Sequence, residues 1–202
     1  MTEDEAKDWI ADRFGASAVD GVGAIVTRVI AENQRQNLVS PSTIGSIWNR
    51  HAADSAQLAL LGEPAGLWID IGPGGGFPGM IVAMVRAAPM LLIEPRRKRA
   101  EFLVEMARDL HLTHVHVMAS RVEVVREMAT IISARAVASV EKLFDAGQAC
   151  AMQETRWLLP RGRIEQADLL AIERDWQGTF HVKQSVTDRT SSILVAEGVC
   201  RR

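Results

Sequence analysis

The chain has 202 residues, 48% of them apolar and 24% charged, which are ordinary values for one globular domain with room for a small second part. Its formal net charge of −2 at pH 7 excludes a protein that binds nucleic acid through overall charge alone. The two cysteines, Cys150 and Cys200, form no CxxC pair, so a reducing compartment is expected, and a disulfide framework or a zinc site is not. An acidic N-terminus and the lack of a long apolar segment predict a cytoplasmic protein that does not enter a membrane.

The N-terminal third of the chain has the apolar period of helices. One helix is predicted from about Ala18 to Gln36, and a second is predicted to begin after a cap at Ser42. Together they predict a small helical part, residues 1–62, ahead of a larger domain at residues 63–202. The faces that define the two helices are Val22, Val26, Val29 and Asn33 in the first, and Ile44, Ile47, Trp48, His51 and Ser55 in the second.

From Leu67 onward the pattern changes to short apolar runs separated by helix-like stretches. Strands that alternate with helices predict an α/β fold, with a mostly parallel sheet and helices on both faces. The last two strands are separated by a short turn, so they are predicted to pair antiparallel as a hairpin. The predicted strands are residues 67–71, 90–94, 114–118, 130–134, 156–159, 179–184 and 192–197, and the predicted helices are 78–87, 97–110, 121–128, 139–153 and 164–176.

A glycine-rich segment follows the first predicted strand, and glycine lets the backbone approach a ligand closely. Gly74, Gly76 and Gly79 match the G-x-G-x-x-G pattern of dinucleotide-binding proteins. Asp70 with Gly72, Gly74 and Gly76 instead matches the acid-x-G-x-G-x-G pattern of enzymes that use S-adenosylmethionine. A carboxylate at position 70 is unfavourable beside a pyrophosphate, but it suits a ligand that carries a sulfonium and an ammonium. The segment therefore favours S-adenosylmethionine in contact with Asp70; the alternative for Asp70 is a helix-capping or turn acid.

Four further residues are candidates for the same cleft. Glu94, at the end of the second strand, can accept both ribose hydroxyls of an adenosyl cofactor or pair with the neighbouring arginines. Arg135, at the end of the fourth strand, is predicted to face the cleft and orient the substrate, with a surface ion pair as the alternative. His51 is either a core histidine or an RNA-facing catalytic residue, and Asn37 is either a donor to a base or a turn residue.

Basic residues are concentrated directly after Glu94, where they indicate a local RNA-binding surface despite the negative net charge. Contacts to phosphates would position an RNA without specifying its sequence, and a solvated helix start is the alternative. Because the whole chain is slightly acidic, binding to naked RNA is expected to be weak. The predicted RNA contacts are Arg50, Arg96, Arg97, Lys98, Arg99 and Arg161.

Three histidines lie close together in the sequence: His111, His114 and His116. No cysteine or further carboxylate ligand is evident nearby, so a metal site is not expected.

Several motifs, taken in chain order, resemble one known family. The most specific are the Phe-Pro-Gly ending of the glycine segment and the Arg-His-x-x-Asp-Ser motif ahead of it. Over about residues 30 to 160 the chain resembles the ribosomal small-subunit methyltransferase G family, also called glucose-inhibited division protein B. The matching segments are residues 37–40, 50–55, 70–79, 94, 98–99, 102–103, 120–123 and 133–136.

The resemblance implies a class I methyltransferase fold, Rossmann-like, with seven mostly parallel strands, an antiparallel last strand and a small N-terminal helical part. It implies methyl transfer from S-adenosylmethionine to N7 of one guanine in 16S ribosomal RNA, in the loop near the decoding site. The substrate would be the small subunit or an assembly intermediate. Carried over by motif, the cofactor-binding residues are Gly72, Phe77, Val122, Glu123 and Arg135. The full predicted set of cofactor-binding residues also includes Asp70, Gly74, Gly76, Glu94 and Ser120.

The chain departs from the family pattern at two positions. Glu94 stands where the family more often has Asp, and Arg161 stands where Lys is expected. Two other functions remain open from the residues alone. An NAD-dependent oxidoreductase would use the Gly74, Gly76 and Gly79 pattern, although the chain has no tyrosine to act as its catalytic residue. A catalytically silent RNA-binding assembly factor would keep the fold without the reaction.

Overall fold

The computed structural model describes residues 1–62 and 66–202, and seven α-helices and seven strands lie within them. The helices are α1 (Glu3–Phe14), α2 (Ala16–Gln36), α3 (Asp54–Ala56), α4 (Gly79–Val85), α5 (Arg97–Asp109), α6 (Val140–Gly147) and α7 (Gln166–Asp175). The strands are β1 (Trp68–Ile71), β2 (Met90–Ile93), β3 (Val115–Met118), β4 (Ala129–Ala134), β5 (Ala151–Arg161), β6 (Trp176–Gln184) and β7 (Ser192–Arg201).

All seven strands form one sheet in the order β3-β2-β1-β4-β5-β7-β6. The first five strands run parallel, and β7 lies antiparallel between β5 and β6. The predicted mixed sheet and its C-terminal hairpin are therefore confirmed. The strand order reverses beside β1, which pairs with both β2 and β4, so a ligand cleft is expected at the carboxyl end of β1.

Alternate residues of the strands point to two hydrophobic cores, one on each face of the sheet. Trp68 lies in the first core, which packs against α1, α2, α4 and α5, and Ile69 lies in the second, which packs against α6 and α7. The N-terminal helices thus share a core with the sheet. The proposed division into residues 1–62 and 63–202 stays a prediction, and its boundary residue Glu63 lies outside the described residues.

The second N-terminal helix is not the single α-helix that the sequence predicts. The chain instead forms a 3₁₀ turn (Pro41–Ser46), a π-helical turn (Trp48–Ala53), the short α3 and a second 3₁₀ turn (Gln57–Leu60). Ser55 Oγ donates to the carbonyl of His51, 2.5 Å away, and so competes for an acceptor that a regular α-helix would use. Glu3 of α1 accepts the amides of Trp48 and Asn49 at 3.0 and 2.9 Å, which fixes the start of the π-helical turn.

Other element boundaries also differ from the predictions. The helix predicted at 139–153 ends at Gly147, and β5 already begins at Ala151. The helix predicted at 121–128 is only a 3₁₀ turn, Val122–Val124, because β-branched valines favour extended backbone. The hairpin extends further than predicted, from Trp176 to Arg201, which are paired with each other. Among the helices of the described residues, none is both long and apolar enough to cross a membrane.

Candidate active site at the carboxyl end of β1

The glycine segment after β1 needs its glycines for backbone reasons. Gly72, Gly74 and Gly76 have φ of 66°, 57° and 97°, in the left-handed region that favours glycine. A Cβ on Gly72 would lie 2.8 Å from Val137 Cγ2, and one on Gly76 would lie 2.8 Å from Met80 Cγ. The segment is therefore a tight cradle of main chain, which we call the glycine loop (residues 72–79).

Asp70, near the end of β1, holds the glycine loop in place through a hydrogen bond. The side chain is fully buried, and its two oxygens accept from Gly79 N and Ser133 Oγ, each at 2.7 Å. Gly79 allows this approach, since a Cβ there would lie 2.7 Å from Asp70 Oδ2. Burial raises the pKa of Asp70 to about 7, against the lowering effect of its hydrogen bonds to Ser133 and Gly79. Direct contact with the cofactor, predicted from the sequence, is not what this geometry favours, because both oxygens face protein donors.

Glu94, just after β2, supports the other end of the loop. It is 3% exposed, and its oxygens accept from Gly74 N at 3.1 Å and Arg96 N at 2.9 Å. Each carboxylate oxygen can accept a second hydrogen bond, so a ribose remains compatible with this arrangement.

A cavity of about 560 Å³ opens beside the glycine loop. Its walls come from segments far apart in the chain: residues 38–43, the π-helical turn, the glycine loop, the end of β4, the end of β5 and the turn between β6 and β7. We call the part formed by the glycine loop and the strand ends the sheet wall, and the part formed by residues 38–54 and the β6–β7 turn the helical wall.

Arg135, just after β4, joins the two walls. Its Nη2 lies 2.7 Å from His51 Nδ1, and its Nη1 donates to the Arg50 carbonyl at 3.0 Å and to Asp54 Oδ2 at 3.2 Å. The guanidinium also lies 5.4 Å from the ring centroid of Phe77 in the glycine loop. Burial lowers the pKa of Arg135, and the charge of Asp54 opposes that effect. The predicted position of Arg135 in the cleft is observed.

The partners of His51 determine its protonation state. A guanidinium can only donate, so Nδ1 accepts from Arg135 and Nε2 carries the proton. Nε2 then donates to Thr43 Oγ1 at 2.8 Å. Burial, followed by the charges of Arg135 and Arg50, lowers the pKa of His51 to about 3. At neutral pH the imidazole is neutral, with both nitrogens engaged, so it is not a free base.

Asp54 organises the helical wall, and it is not among the site residues that the sequence predicts. Besides Arg135, it binds Gln57 and the β6–β7 turn. Its Oδ1 accepts from Gln57 Nε2 at 2.9 Å and, in the turn, from Thr187 Oγ1 at 3.2 Å and Ser185 Oγ at 3.3 Å. Its place in the Arg-His-x-x-Asp-Ser motif is the local signal that points to it. The contacts with the turn join residues more than 130 positions apart, which no local pattern reveals.

The structure brings some predicted site residues together and separates others. Asn37 is the left-handed C-cap of α2, with φ of 49°, and its exposed side chain is not in the cavity wall, so the alternative of a turn residue is favoured. Ser120, Val122 and Glu123 lie after β3, outside the cavity wall, and Glu123 pairs with Arg121. The predicted residues that do line the cavity are Arg50, His51, Gly72, Gly74, Phe77, Arg99, Arg135 and Arg161.

The predicted RNA contacts form two groups. Arg50, Arg99 and Arg161 line the cavity, whereas Arg96, Arg97 and Lys98 are exposed at the start of α5. No group of three or more His, Cys, Asp or Glu residues within the described residues is placed to hold a metal ion, and His114 contacts the carbonyl of Ala83.

Comparisons with known proteins identify the family. The family model described as rRNA small subunit methyltransferase G matches residues 22–193. The chain belongs to this family. The ribosomal RNA small subunit methyltransferase G of Erythrobacter litoralis is 42% identical over 98% of this chain and 97% of the relative, and that of Sphingopyxis alaskensis is 45% identical over 97% and 86%.

Solved structures confirm the fold class. A SAM-dependent methyltransferase from Aquifex aeolicus superposes with a TM-score of 0.59 at 11% identity, over 85% of this chain and 97% of that one. TYW2 of M. jannaschii, solved in complex with AdoMet, superposes with a TM-score of 0.57 at 14% identity, over 82% and 78%. At these identities the similarity concerns the fold: a class I methyltransferase sheet with N-terminal helices.

Proposed function

We propose that this methyltransferase transfers a methyl group from S-adenosylmethionine to N7 of one guanine in 16S ribosomal RNA, in the loop near the decoding site. Membership of the family already makes it an S-adenosylmethionine-dependent enzyme of small-subunit ribosomal RNA. The same membership removes the NAD-dependent oxidoreductase from consideration. The guanine N7 target, the small subunit or its assembly intermediate as substrate, and a cytoplasmic location belong to the proposal.

The residues present fit the cofactor. The glycine loop offers close main-chain approach, and Glu94 keeps unused acceptor capacity on both oxygens. Ser120 Oγ, after β3, is buried without a hydrogen-bond partner in the part of the chain that the structure describes, as expected for a hydroxyl that meets a ligand. When bound, S-adenosylmethionine supplies an electrophilic methyl group on a cationic sulfur. Asp70 contributes by fixing the loop, and Val122 and Glu123 would flank the adenosine beside Ser120.

The observation that carries the proposal is the composition of the cavity wall. Among the described residues, four arginines line it, and its carboxylate, Asp54, and its imidazole, His51, are both engaged by Arg135. Guanine N7 attacks with a lone pair and has no proton to remove, so its methylation requires positioning rather than a general base. A polyanionic substrate also matches the excess of positive charge. The wall suits N7 methylation better than reactions that begin with deprotonation.

The exposed cations at the start of α5 extend this positive surface away from the cavity. Arg96, Arg97 and Lys98 would contact phosphates of the same RNA, which positions it without specifying sequence. Because the chain as a whole is acidic, we expect weak affinity for naked 16S RNA and stronger affinity for a folded small subunit.

The test is transfer of a labelled methyl group to small subunits from cells that lack this gene. Borohydride and aniline treatment then breaks the RNA at 7-methylguanosine, and primer extension locates the break. We expect a single break in the decoding-site loop, and no transfer to subunits from wild-type cells. Transfer to another atom or another loop would contradict the proposal, and tight subunit binding without transfer would support the silent assembly factor.

A glycine pair provides a matched control for the cofactor site. Gly72→Ala places a methyl group against Val137 in a left-handed backbone and should abolish transfer. Gly198→Ala has a similar left-handed backbone, with φ of 62°, but it meets no atom within 4 Å and lies outside the cavity wall, so it should leave transfer unchanged.

A further inference from the structure

The four arginines that line the cavity among the described residues differ in how many hydrogen-bond or ion-pair partners the protein provides for them. Arg135 donates to His51, Arg50 and Asp54; Arg50 pairs with Asp188 at 2.9 Å; and Arg99 donates to the Asn37 carbonyl at 3.1 Å. The fourth, Arg161, has a buried Nη2 with no hydrogen-bond partner among the described residues.

This unpartnered nitrogen is unusual within the molecule. Three buried side-chain polar atoms lack a partner in the described residues: Asn49 Oδ1, Ser120 Oγ and Arg161 Nη2. Of these three residues, only Arg161 lines the cavity. Burial lowers the pKa of Arg161, and the charge of Glu141 opposes that shift without an ion pair between the two in the described residues. A buried charged donor without an acceptor is costly unless a ligand supplies one.

The position of Arg161 places it beside Arg135 at the cavity. It is the last residue of β5, which pairs in parallel with β4, and β4 leads directly into Arg135. Carboxyl ends of parallel strands lie at the same edge of a sheet, so Arg161 and Arg135 enter the same cavity from neighbouring strands.

Guanine chemistry determines what such a donor can contact. N7 and O6 are both acceptors at the same edge of the base, but N7 must keep its lone pair for attack. A donor that assists the reaction therefore binds O6. Adenine carries an amino group where guanine has O6, so a protein donor at this place would face another donor and form no hydrogen bond.

We infer that Nη2 of Arg161 donates to O6 of the target guanine, and so makes Arg161 the residue that selects guanine over adenine. This inference rests on the proposed function. Arg161 would thus contact a base, whereas the sequence predicts a phosphate contact for it and for the other basic residues.

The experiment compares Arg161→Met, which keeps an unbranched apolar stem but removes the guanidinium donors, with Arg161→Lys, which keeps a cation. Small subunits that carry guanine or adenine at the target position serve as substrates, and kcat, KM and the salt dependence of KM are measured. For Arg161→Met we expect kcat with guanine to fall about 100-fold and the preference for guanine over adenine to fall with it, because one base contact is worth roughly 10- to 100-fold or more in discrimination. The salt dependence of KM should not change, and Arg161→Lys should recover most of the loss.

Two controls separate this effect from others. Arg163→Met removes a cation two residues away whose side chain is 79% exposed, and should behave like the wild type. Isothermal titration with S-adenosylhomocysteine should give unchanged affinity for Arg161→Met, which shows that the variant is folded with an intact cofactor site.

The outcomes are distinct. A raised KM with a flatter salt dependence and unchanged kcat would make Arg161 a phosphate contact and overturn the inference. Unchanged guanine preference would also overturn it. Failure of the wild-type enzyme to methylate N7 would instead overturn the proposed function, and this inference with it.

Discussion

The two walls of the cavity are built by different physical means. In the sheet wall, Asp70 and Glu94 are almost fully buried and bind loop amides 9 and 20 residues away in the chain. In the helical wall, Asp54 is part-exposed and binds Thr187, 133 residues away. The first wall is supported by buried carboxylates whose amide partners are near in sequence, whereas the second is held by part-exposed polar contacts between residues more than 130 positions apart. Cofactor affinity should therefore follow the sheet wall, and the rate of transfer should follow the helical wall.

The largest expected effect comes from breaking the sheet wall at its base. Asp70→Ala leaves Gly79 N and Ser133 Oγ buried without acceptors, so the free energy of unfolding should fall by about 3 kcal/mol. The glycine loop loses its support, so affinity for S-adenosylhomocysteine should fall by about 100-fold or more. Chemical denaturation and isothermal titration measure these two quantities. Asp12→Ala, at an exposed position of α1, is the control, and equal cofactor affinity in both variants would show that the loop does not depend on Asp70.

Breaking the helical wall should produce the opposite pattern. Asp54→Ala removes the acceptor for Arg135 and for the β6–β7 turn, and we expect about 2 kcal/mol lower stability and kcat lower by roughly 10- to 100-fold. Affinity for S-adenosylhomocysteine should stay close to that of the wild type. Steady-state methyl transfer and titration test this, and a large loss of cofactor affinity would remove the distinction between the walls.

The pH dependence of the free energy of unfolding should reveal the raised pKa of the buried Asp70. Because the pKa of Asp70 is raised to about 7 in the folded state, the folded protein binds the proton more tightly, and stability is lost as the pH rises through 7. His51, whose pKa is lowered to about 3, acts in the opposite direction, but only below the unfolded pKa of about 6.5. Between pH 6.5 and 8 the wild type should therefore lose about 1 kcal/mol that Asp70→Asn does not lose. If the unfolding free energies of the wild type and Asp70→Asn change equally with pH across this range, the raised pKa does not belong to Asp70.

A smaller effect should come from the first helix. Glu3 holds the start of the π-helical turn through the amides of Trp48 and Asn49, so Glu3→Gln should cost about 1 kcal/mol and lower kcat a few-fold through His51. Asp4→Asn, one residue away and paired with exposed Lys7, is the matched control. Identical kcat in the two variants would show that Glu3 of α1 does not influence the reaction.

The smallest effect should come from the surface of the helical wall. Asp188→Asn breaks an exposed ion pair with Arg50, so stability should change by less than about 0.5 kcal/mol. The released guanidinium becomes available to phosphate, and we expect about two-fold tighter binding to small subunits at low salt, with a steeper salt dependence. Weaker binding would show that Asp188 positions Arg50 rather than competing with the RNA.

The comparison of the walls also explains what the sequence could predict. The strands, the glycine loop and the cleft beside β1 follow from local apolar runs and glycine spacing. The orientation of Asp70 does not, since a carboxylate after a strand can face either a ligand or the loop behind it, and the backbone path of residues 72–79 decides between them. The π-helical turn depends on Glu3 and Ser55, one of them on another helix, so the apolar stripe alone predicted a regular helix. The partners of Asp54 on the β6–β7 turn are too distant in sequence for any motif to connect.

The bond from Asp54 to Thr187 has a consequence for biosynthesis. The glycine loop and the first strands can assemble while the chain is still being translated, because their partners are neighbours in order of emergence. The β6–β7 turn, which closes the pocket, emerges after the glycine loop and the first five strands. A nascent chain therefore has no completed pocket until the β6–β7 turn has left the ribosome.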